Sequence, residues 1–372
     1  MLFRLLLAGT VAATALFSTL NTPPTGPATA PQTEQIAPYH ARFGRLRPVV
    51  AVVGENSGTE LTDFVIPYGV LAQSGAVEMV AVATQPGLLT MRPALKLQPE
   101  ATIQQFDTFF PDGADYVVVP AVVKSADPTL LAWITAQAGK GSTIVSICDG
   151  VLVVANTGLL TGHRATGHWA TESLRKEKYP ATTWLPNTRY VADGKFISSA
   201  GISAAMPVSL ALVEAIAGTE QAAALARRLG LADWSPRHNS EVFHPHFGVN
   251  LRALVAVNFT NGWFHARQTI GVPVAPGVDE IALALAMDAY SRTGRSRAYA
   301  LAATSAPLPT RHGLRLVPDR LLSDSKALSR MLPALGPEPS AQMLDQALAG
   351  ISALYGRTTA YGVALDFEYP GF

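Results

Sequence analysis

A single cysteine, Cys148, occurs in 372 residues. A disulfide framework within the chain is therefore excluded, and the thiol is either inert core filling or chemistry. Charge is scarce too: 15% of residues are charged and the formal net charge is +1. No cluster of Lys and Arg supplies the footprint of a nucleic-acid binder. No Gly-rich phosphate loop is present, since the "GENSG" turn is too weak alone. His238, His244, His246 and His265 gather along one stretch, and "HPHF" offers two imidazoles. No cysteine or acid is spaced among them as zinc requires, so neither a metal nor a cofactor is expected. What the chain has in quantity is apolar residues, at 48%, and a length that implies about two domains.

The N-terminus stands apart. "MLFRLLLAGTVAATALFSTL" has one early cation, Arg4, and then an uncharged stretch from Leu5 to Leu20. That stretch is short for a membrane span and long for a signal-peptide core. Residues 1–20 therefore read as an uncleaved membrane anchor or as a cleaved signal, with a small-x-small site at Ala28-Thr29-Ala30 followed by Pro31. Both readings place the globular part outside the cytosol, membrane-anchored or periplasmic/secreted. Residues 21–46, rich in Pro, Ala and Thr, read as a tether.

From Pro48 strands and helices alternate. "PVVAVVG" is an apolar β-branched run of the buried parallel type. "TELTDFVIPYGVLAQSG" has helical apolar spacing and ends at Gly75, a C-cap residue. "VEMVAVAT" and "ADYVVVP" are further strands. "DPTLLAWITAQAGKG" is a helix with Asp127 as N-cap and Pro128 at its first position. "STIVSI" is the strand that delivers Cys148, "KFISSAG" a late strand and "AAMPVSLALVEAIAG" a closing helix. The pattern predicts a doubly wound, mostly parallel, flavodoxin-like α/β sheet over residues 47–232, with sites at the carboxyl ends of the strands.

An internal repeat follows at an offset of 219 residues: Gly58 matches Gly277, Gly75 matches Gly294, Arg92 matches Arg311 and Leu95 matches Leu314. Near the end, "LAGISALYGRTTAYGVALDF" echoes "LVEAIAGTEQAAALARRL". Residues 266–372 thus read as a shortened second α/β copy, joined through a connecting segment at 233–265. The copy has no cysteine, and Ala282 stands at the place of Asp63. Its expected role is packing or pairing, as an intramolecular pseudo-dimer; a homodimer is also open.

A strand that ends in a thiol and runs directly into a helix makes a nucleophile elbow. The helix's free N–H groups and positive end would face the sulfur and favour thiolate. Gly150 lets that helix approach the sheet closely.

The segment "VSICDGVLVVANTGLLTGHRATGHWA" resembles the elbow of the ThiJ/PfpI family, part of the class I glutamine amidotransferase-like superfamily. The pattern is Cys-x-Gly, Ala-x-x-Gly-Leu-Leu-x-Gly, then Ala-Thr-x-His-Trp. "GTELTDFVIPYGVL" resembles the family's first helix, and "ISSAGISAAMPVSLALVE" its final strand and helix. The likeness spans about residues 48–230 and is nearest to the branch of isonitrile hydratases and the amidase-like domains of AraC-type regulators. It implies Cys148 as nucleophile, Asp63 as the acid that holds a proton against the sulfur, and His168 near the same pocket. Glu60, one turn before Asp63, is the alternative acid. Trp169 reads as core. The backbone at Asp149, Gly150 and Ala121 would line the oxyanion side.

Two departures from that pattern bear on reactivity. Ala121 and Val122 replace a Gly-Gly turn, and Asp149 directly follows the thiol. A carboxylate ~6 Å from the sulfur at an effective dielectric of ~20 costs the thiolate roughly 2.8 kcal/mol, about two pK units. Three functions follow: thiol-dependent hydrolysis or hydration of a small amide-like or carbonyl substrate, a non-catalytic redox- or ligand-sensing module, and a scaffold in which the thiol is incidental. The substrate or ligand is not legible.

Overall fold

The β-branched run Val49–Gly54 forms strand β1, and all six of its positions are buried. A strand covered on both faces belongs in the middle of a parallel sheet. Its partners confirm that place in this computed structural model, which describes residues 34–372. After β1 come α1 (Leu61–Ser74), β2 (Glu78–Ala83), β3 (Ala101–Thr102), α2 (Ile103–Phe109), β4 (Tyr116–Val119) and α3 (Pro128–Gly139). Then follow β5 (Thr143–Ser146), α4 (Gly150–Asn156), β6 (Tyr190–Asp193), β7 (Phe196–Ser199), α5 (Ala205–Ala217) and α6 (Thr219–Leu229). The sheet order is β6-β7-β5-β4-β1-β2-β3. Every pairing is parallel except the β6–β7 hairpin. The caps expected from sequence form: Gly75 ends α1 at φ 69°, and Asp127 accepts from Leu130 N–H at the start of α3.

The sheet separates two cores. One lies against α2, α3 and α4 and centres on Phe106, Ile134 and Val151. The other lies against α1 and α5 and runs on without a break into the C-terminal part of the chain.

That part repeats the first. Strand β8 (Gln268–Pro273), α7 (Glu280–Arg292) and the turn-strands Leu308–Pro309, Arg315–Val317 and β10 (Arg320–Leu321) each start 219 residues after their counterparts. The strand β9 (Ser296–Ala302) lies between them. A further short strand, β11 (Arg330–Met331), pairs with β8 as β4 pairs with β1. The four-stranded order is β10-β9-β8-β11, all parallel. After β11 the chain goes to α8 (Gln342–Tyr355) and α9 (Arg357–Asp366). Gly356, between them, has φ 86° and ψ 156°, and Gly218 between α5 and α6 has φ 89° and ψ 163°. The second copy therefore passes straight to its closing helices, and the elbow strand and helix have no counterpart in it.

The two copies meet as the halves of a two-fold dimer do. Leu97 pairs with Leu316, its own equivalent, flanked by Gln98 with Arg315 and Lys96 with Val317. Such self-complementary pairing is isologous. Helix α1 crosses α7 in the same sense. A Cβ on Gly69 would lie 2.7 Å from Ile281, while Asp288, the equivalent of Gly69, accepts from Thr62, the equivalent of Ile281, at 2.9 Å.

One expectation is corrected. Residues 34–46, assigned to the tether, lie on the body of the protein. Glu34 is buried and pairs with Arg164 at 2.8 Å. Arg45 pairs with Asp115 at 2.8 Å, and Arg42 donates to Gly141 O at 2.7 Å. Ion pairs to distant groups hold this stretch, and composition alone does not reveal them. The segment 1–20, read as anchor or signal, lies outside the described residues. Among the described residues no helix is long and apolar enough to cross a membrane.

Because both copies share one core, Asp288→Ala should destabilise the whole unit. It removes one of the three carboxylates on Arg292 and the acceptor of the Thr62 hydroxyl, a loss on the order of 1–3 kcal/mol. Urea unfolding followed by circular dichroism should show one transition at a lower midpoint. Two separate transitions would contradict the shared core.

Candidate functional site

Cys148 sits between β5 and α4 at φ 55°. A left-handed residue with a side chain costs about 1–2 kcal/mol, and the surrounding bonds fix it there. Cys148 N–H donates to Ser199 Oγ at 3.4 Å, and Gly150 N–H donates to Ile147 O at 2.8 Å. Gly150 is required by space: a Cβ there would lie 2.0 Å from Val119 O. Helix α4 thus packs directly on the end of β4. The sulfur's residue is 6% exposed.

Asp63, in the first turn of α1, is fully buried. Its Oδ2 accepts from Ala121 N–H at 3.1 Å, and its Oδ1 has no partner among the described residues. Burial holds this carboxyl well above the usual range, against the Ala121 bond and Arg292, with Asp149 and Asp288 adding to the rise. Burial therefore favours the protonated form of this acid. Burial likewise pushes the Cys148 thiol well up, and the neighbouring carboxyl groups of Asp63, Asp149, Glu368 and Glu60 push the same way, Asp63 most. The elbow thus carries a neutral thiol, where the helix terminus alone would favour thiolate.

Glu60 belongs to a different cluster. Arg292, from the last turn of α7, bonds Glu60, reaches Asp288 at 2.6 Å and Asp366 at 3.3 Å. Burial, outweighing the pull of Arg292, raises Glu60. With its carboxylate on Arg292, Glu60 is not the acid aimed at the thiol.

Three further residues are corrected by their hydrogen bonds. Ala121, expected to supply an oxyanion donor, gives its N–H to Asp63. Gly150 gives its own to Ile147. That leaves Asp149 N–H without a partner among the described residues. His168, expected as a catalytic group, has both ring nitrogens engaged: Nδ1 accepts from Ala170 N–H at 3.2 Å, and Nε2 donates to Asp366 O at 3.1 Å. It anchors the C-terminus. Asp149 turns its side chain to Thr171 Oγ1 at 2.6 Å, with Arg175 at 4.0 Å. Trp169 is half-buried and donates from its indole to Leu365 O at 3.1 Å.

Glu368 is the functional residue that sequence reasoning missed. It lies just past α9, at the end of the second copy, fully buried at φ 52°. Its carboxylate accepts from Trp169 N–H at 2.6 Å, Gly201 N–H at 2.9 Å and His238 Nε2 at 2.9 Å. Burial would raise it, but the His238 bond, the imidazoles of His168 and His238 and the Gly201 N–H together hold it at about 2. The second copy thus closes the first copy's site with an ionised carboxylate. A cavity beside it, lined by Gly167, Trp169, Arg175 and Trp184, has about 10 Å³ and does not include Cys148. That volume holds one water.

The model of the DJ-1/PfpI family matches residues 49–215. An isonitrile hydratase of Pseudomonas putida is 30% identical over 179 residues, covering 47% of this chain and 75% of that protein. The chain belongs to the DJ-1/PfpI family. Another family relative is the transcriptional regulator CdhR of Pseudomonas aeruginosa, 30% identical over 137 residues, 36% of this chain and 40% of the regulator. Among solved structures, DJ-1beta of Drosophila melanogaster aligns over 50% of this chain and 100% of its own, at 21% identity and a TM-score of 0.46. The family model matches the first copy, which carries both Cys148 and Asp63.

Two measurements test this electrostatic picture. Glu368 gains stability where it is ionised in the fold and protonated when unfolded. Its contribution is present above about pH 4.5 and is lost as pH falls toward 2. Glu368→Gln should therefore cost about 2–3 kcal/mol near neutral pH. The gap from wild type in urea midpoint should close between pH 4.5 and 2. Asp149→Asn should lower the apparent pKa of Cys148 by about one to two units, read from the pH dependence of iodoacetamide alkylation. An unchanged profile would mean that Asp149 does not act on the sulfur.

Proposed function

We propose that the chain hydrates a small, uncharged electrophile of the isonitrile type, with Cys148 as nucleophile and Asp63 as proton carrier. The observation that supports this most is the buried Oδ1 of Asp63, which has no hydrogen-bond partner, in the carboxyl group that bears most strongly on the Cys148 thiol. A buried polar atom without a partner is costly, and a ligand atom is the natural one to fill that place. An acid and a thiol that are both uncharged suit addition of S–H across a carbon that accepts both.

The step balances as follows. Asp63 delivers a proton to the terminal carbon of R–N≡C and receives the thiol proton, while sulfur bonds to the same carbon. This gives the thioimidate R–N=CH–S–Cys148. Water adds at that carbon, the C–S bond breaks, the thiol regains its proton and R–NH–CHO leaves. The net reaction is isonitrile plus water to formamide. Asp149 N–H is the backbone donor left to meet charge that develops on the substrate.

A second reading, a ligand- or redox-sensing module related to the regulators, draws on the closure of the site: Cys148 is 6% exposed and the Ala121 and Gly150 N–H groups are already used. Export to the membrane or beyond is part of the proposal as well, resting on the Leu5–Leu20 stretch.

A proton NMR assay separates the readings. Wild-type protein with a small alkyl isonitrile should produce the formyl proton of the formamide. Cys148→Ala should abolish turnover and Asp63→Asn should lower kcat about 100-fold or more. Turnover undiminished in Cys148→Ala would overturn the mechanism. No turnover in the wild type, together with a stoichiometric sulfenic or sulfinic adduct at Cys148 under peroxide, would favour sensing.

A further inference from the structure

Seven exposed large apolar side chains belong to one short stretch. Phe247 is 93% exposed, Trp263 and Phe264 74% each and Val249 71%, and Val242, Leu251 and Val255 are exposed too. Scattered single apolar residues are ordinary on a surface, but a run of them marks an interaction site. Most of the stretch is one helical run of Leu251–Val255, a wide π turn at Ala256–Thr260 and Asn261–Phe264. Wide turns of this kind recur at functional places.

Both faces of the run are apolar, and only one is covered. Ala253, Leu254, Val257 and Asn261 are buried. Ala253 and Leu254 pack with Leu365, and Asn261 donates to Thr293 O at 2.8 Å. Gly362 permits the contact, because a Cβ there would lie 2.5 Å from Ala253 O. On the other side Leu251, Val255, Phe259 and Trp263 recur at every fourth residue, and Phe259 meets Trp263 edge-on with ring centroids 6.3 Å apart.

Charge identifies the partner. From Val242 to Val278 the chain has no Asp or Glu, and exposed Arg252 and Arg267 flank the apolar stripe. We propose that this face docks on an anionic bilayer surface, with Phe247, Trp263 and Phe264 in the headgroup region. Trp and Phe beside Arg is the composition of segments that lie in a membrane interface. The run of 14 residues, Leu251–Phe264, is too short to span a bilayer, so it lies along the surface. A second copy is a poorer occupant: a two-fold contact would set an acid-free, cationic face against itself.

The test must separate this face from residues 1–33, which the full chain also carries. Trp263 does so, because it is the most exposed of five tryptophans. Full-length protein should be mixed with phosphatidylcholine vesicles containing phosphatidylglycerol and lipids brominated near the headgroup. Trp263 emission should be quenched. Trp263→Phe should abolish the quenching, and Phe247→Ser with Phe264→Ser should remove most of it. Raising the salt should weaken it. Absence of quenching in vesicle-bound protein would overturn the proposal. So would a stable dimer in solution that Trp263→Ser converts to monomer, since the face would then be a self-interface.

Discussion

The crossing of helix α1 with its own counterpart, α7, determines what Cys148 can be. The contact is close because position 69 is glycine in one helix, and because its equivalent, Asp288, finds a hydroxyl in Thr62. It buries the start of α1, where Glu60 and Asp63 lie, under the end of α7, where Arg292 lies. Four carboxyls, those of Glu60, Asp63, Asp288 and Asp366, then share this one guanidinium, with three of them bonded to it. The fourth, Asp63, has no cation in contact and is fully buried. Retaining its proton is the least costly outcome for such a group. The charge state of Asp63 thus depends on both copies, since Arg292 and Asp288 of α7 both bear on it.

Fusion also frees the copies to diverge. In a two-fold dimer of identical chains each site receives the same residues from its partner. Here the second copy has discarded the elbow, and its last residues serve the first copy's site. Residue 368 occupies the place that Gly230 holds after α6. Both are left-handed, at φ 52° and φ 78°. Glycine takes that conformation freely, whereas glutamate pays about 1 kcal/mol for it. The four hydrogen bonds around Glu368, three to its carboxylate and one from Ser203 Oγ to its carbonyl at 2.6 Å, hold it in place.

Much of this architecture is legible in sequence because it is local or periodic. The β-branched runs mark the strands, Asp127 and Gly75 mark helix ends, and the constant offset marks the repeat. The elbow at Cys148 is local as well, as is the need for glycine at 150. What sequence does not show is where donors go. Ala121 N–H and Asp63 are 58 residues apart, and His168 and Asp366 are 198 apart. Arg292 reads as a solvated cation at a helix end until Glu60, 232 residues away, is placed beside it. One signal for Glu368 did exist: aligning the closing helices puts a glutamate where the first copy has its terminal glycine.

These charges also limit what the site can admit. Asp63, Asp149, Glu368 and Glu60 all bear on the sulfur. An anionic substrate brought to ~6 Å from even one ionised carboxylate, at an effective dielectric of ~20, would lose roughly 2.8 kcal/mol, about a hundredfold in affinity. The basic side chains nearby are engaged: Arg175 with Thr171 and His168 O, His238 with Glu368, Arg292 with three acids. These carboxylates disfavour an anion at Cys148, and the residue's 6% exposure leaves room only for a small molecule.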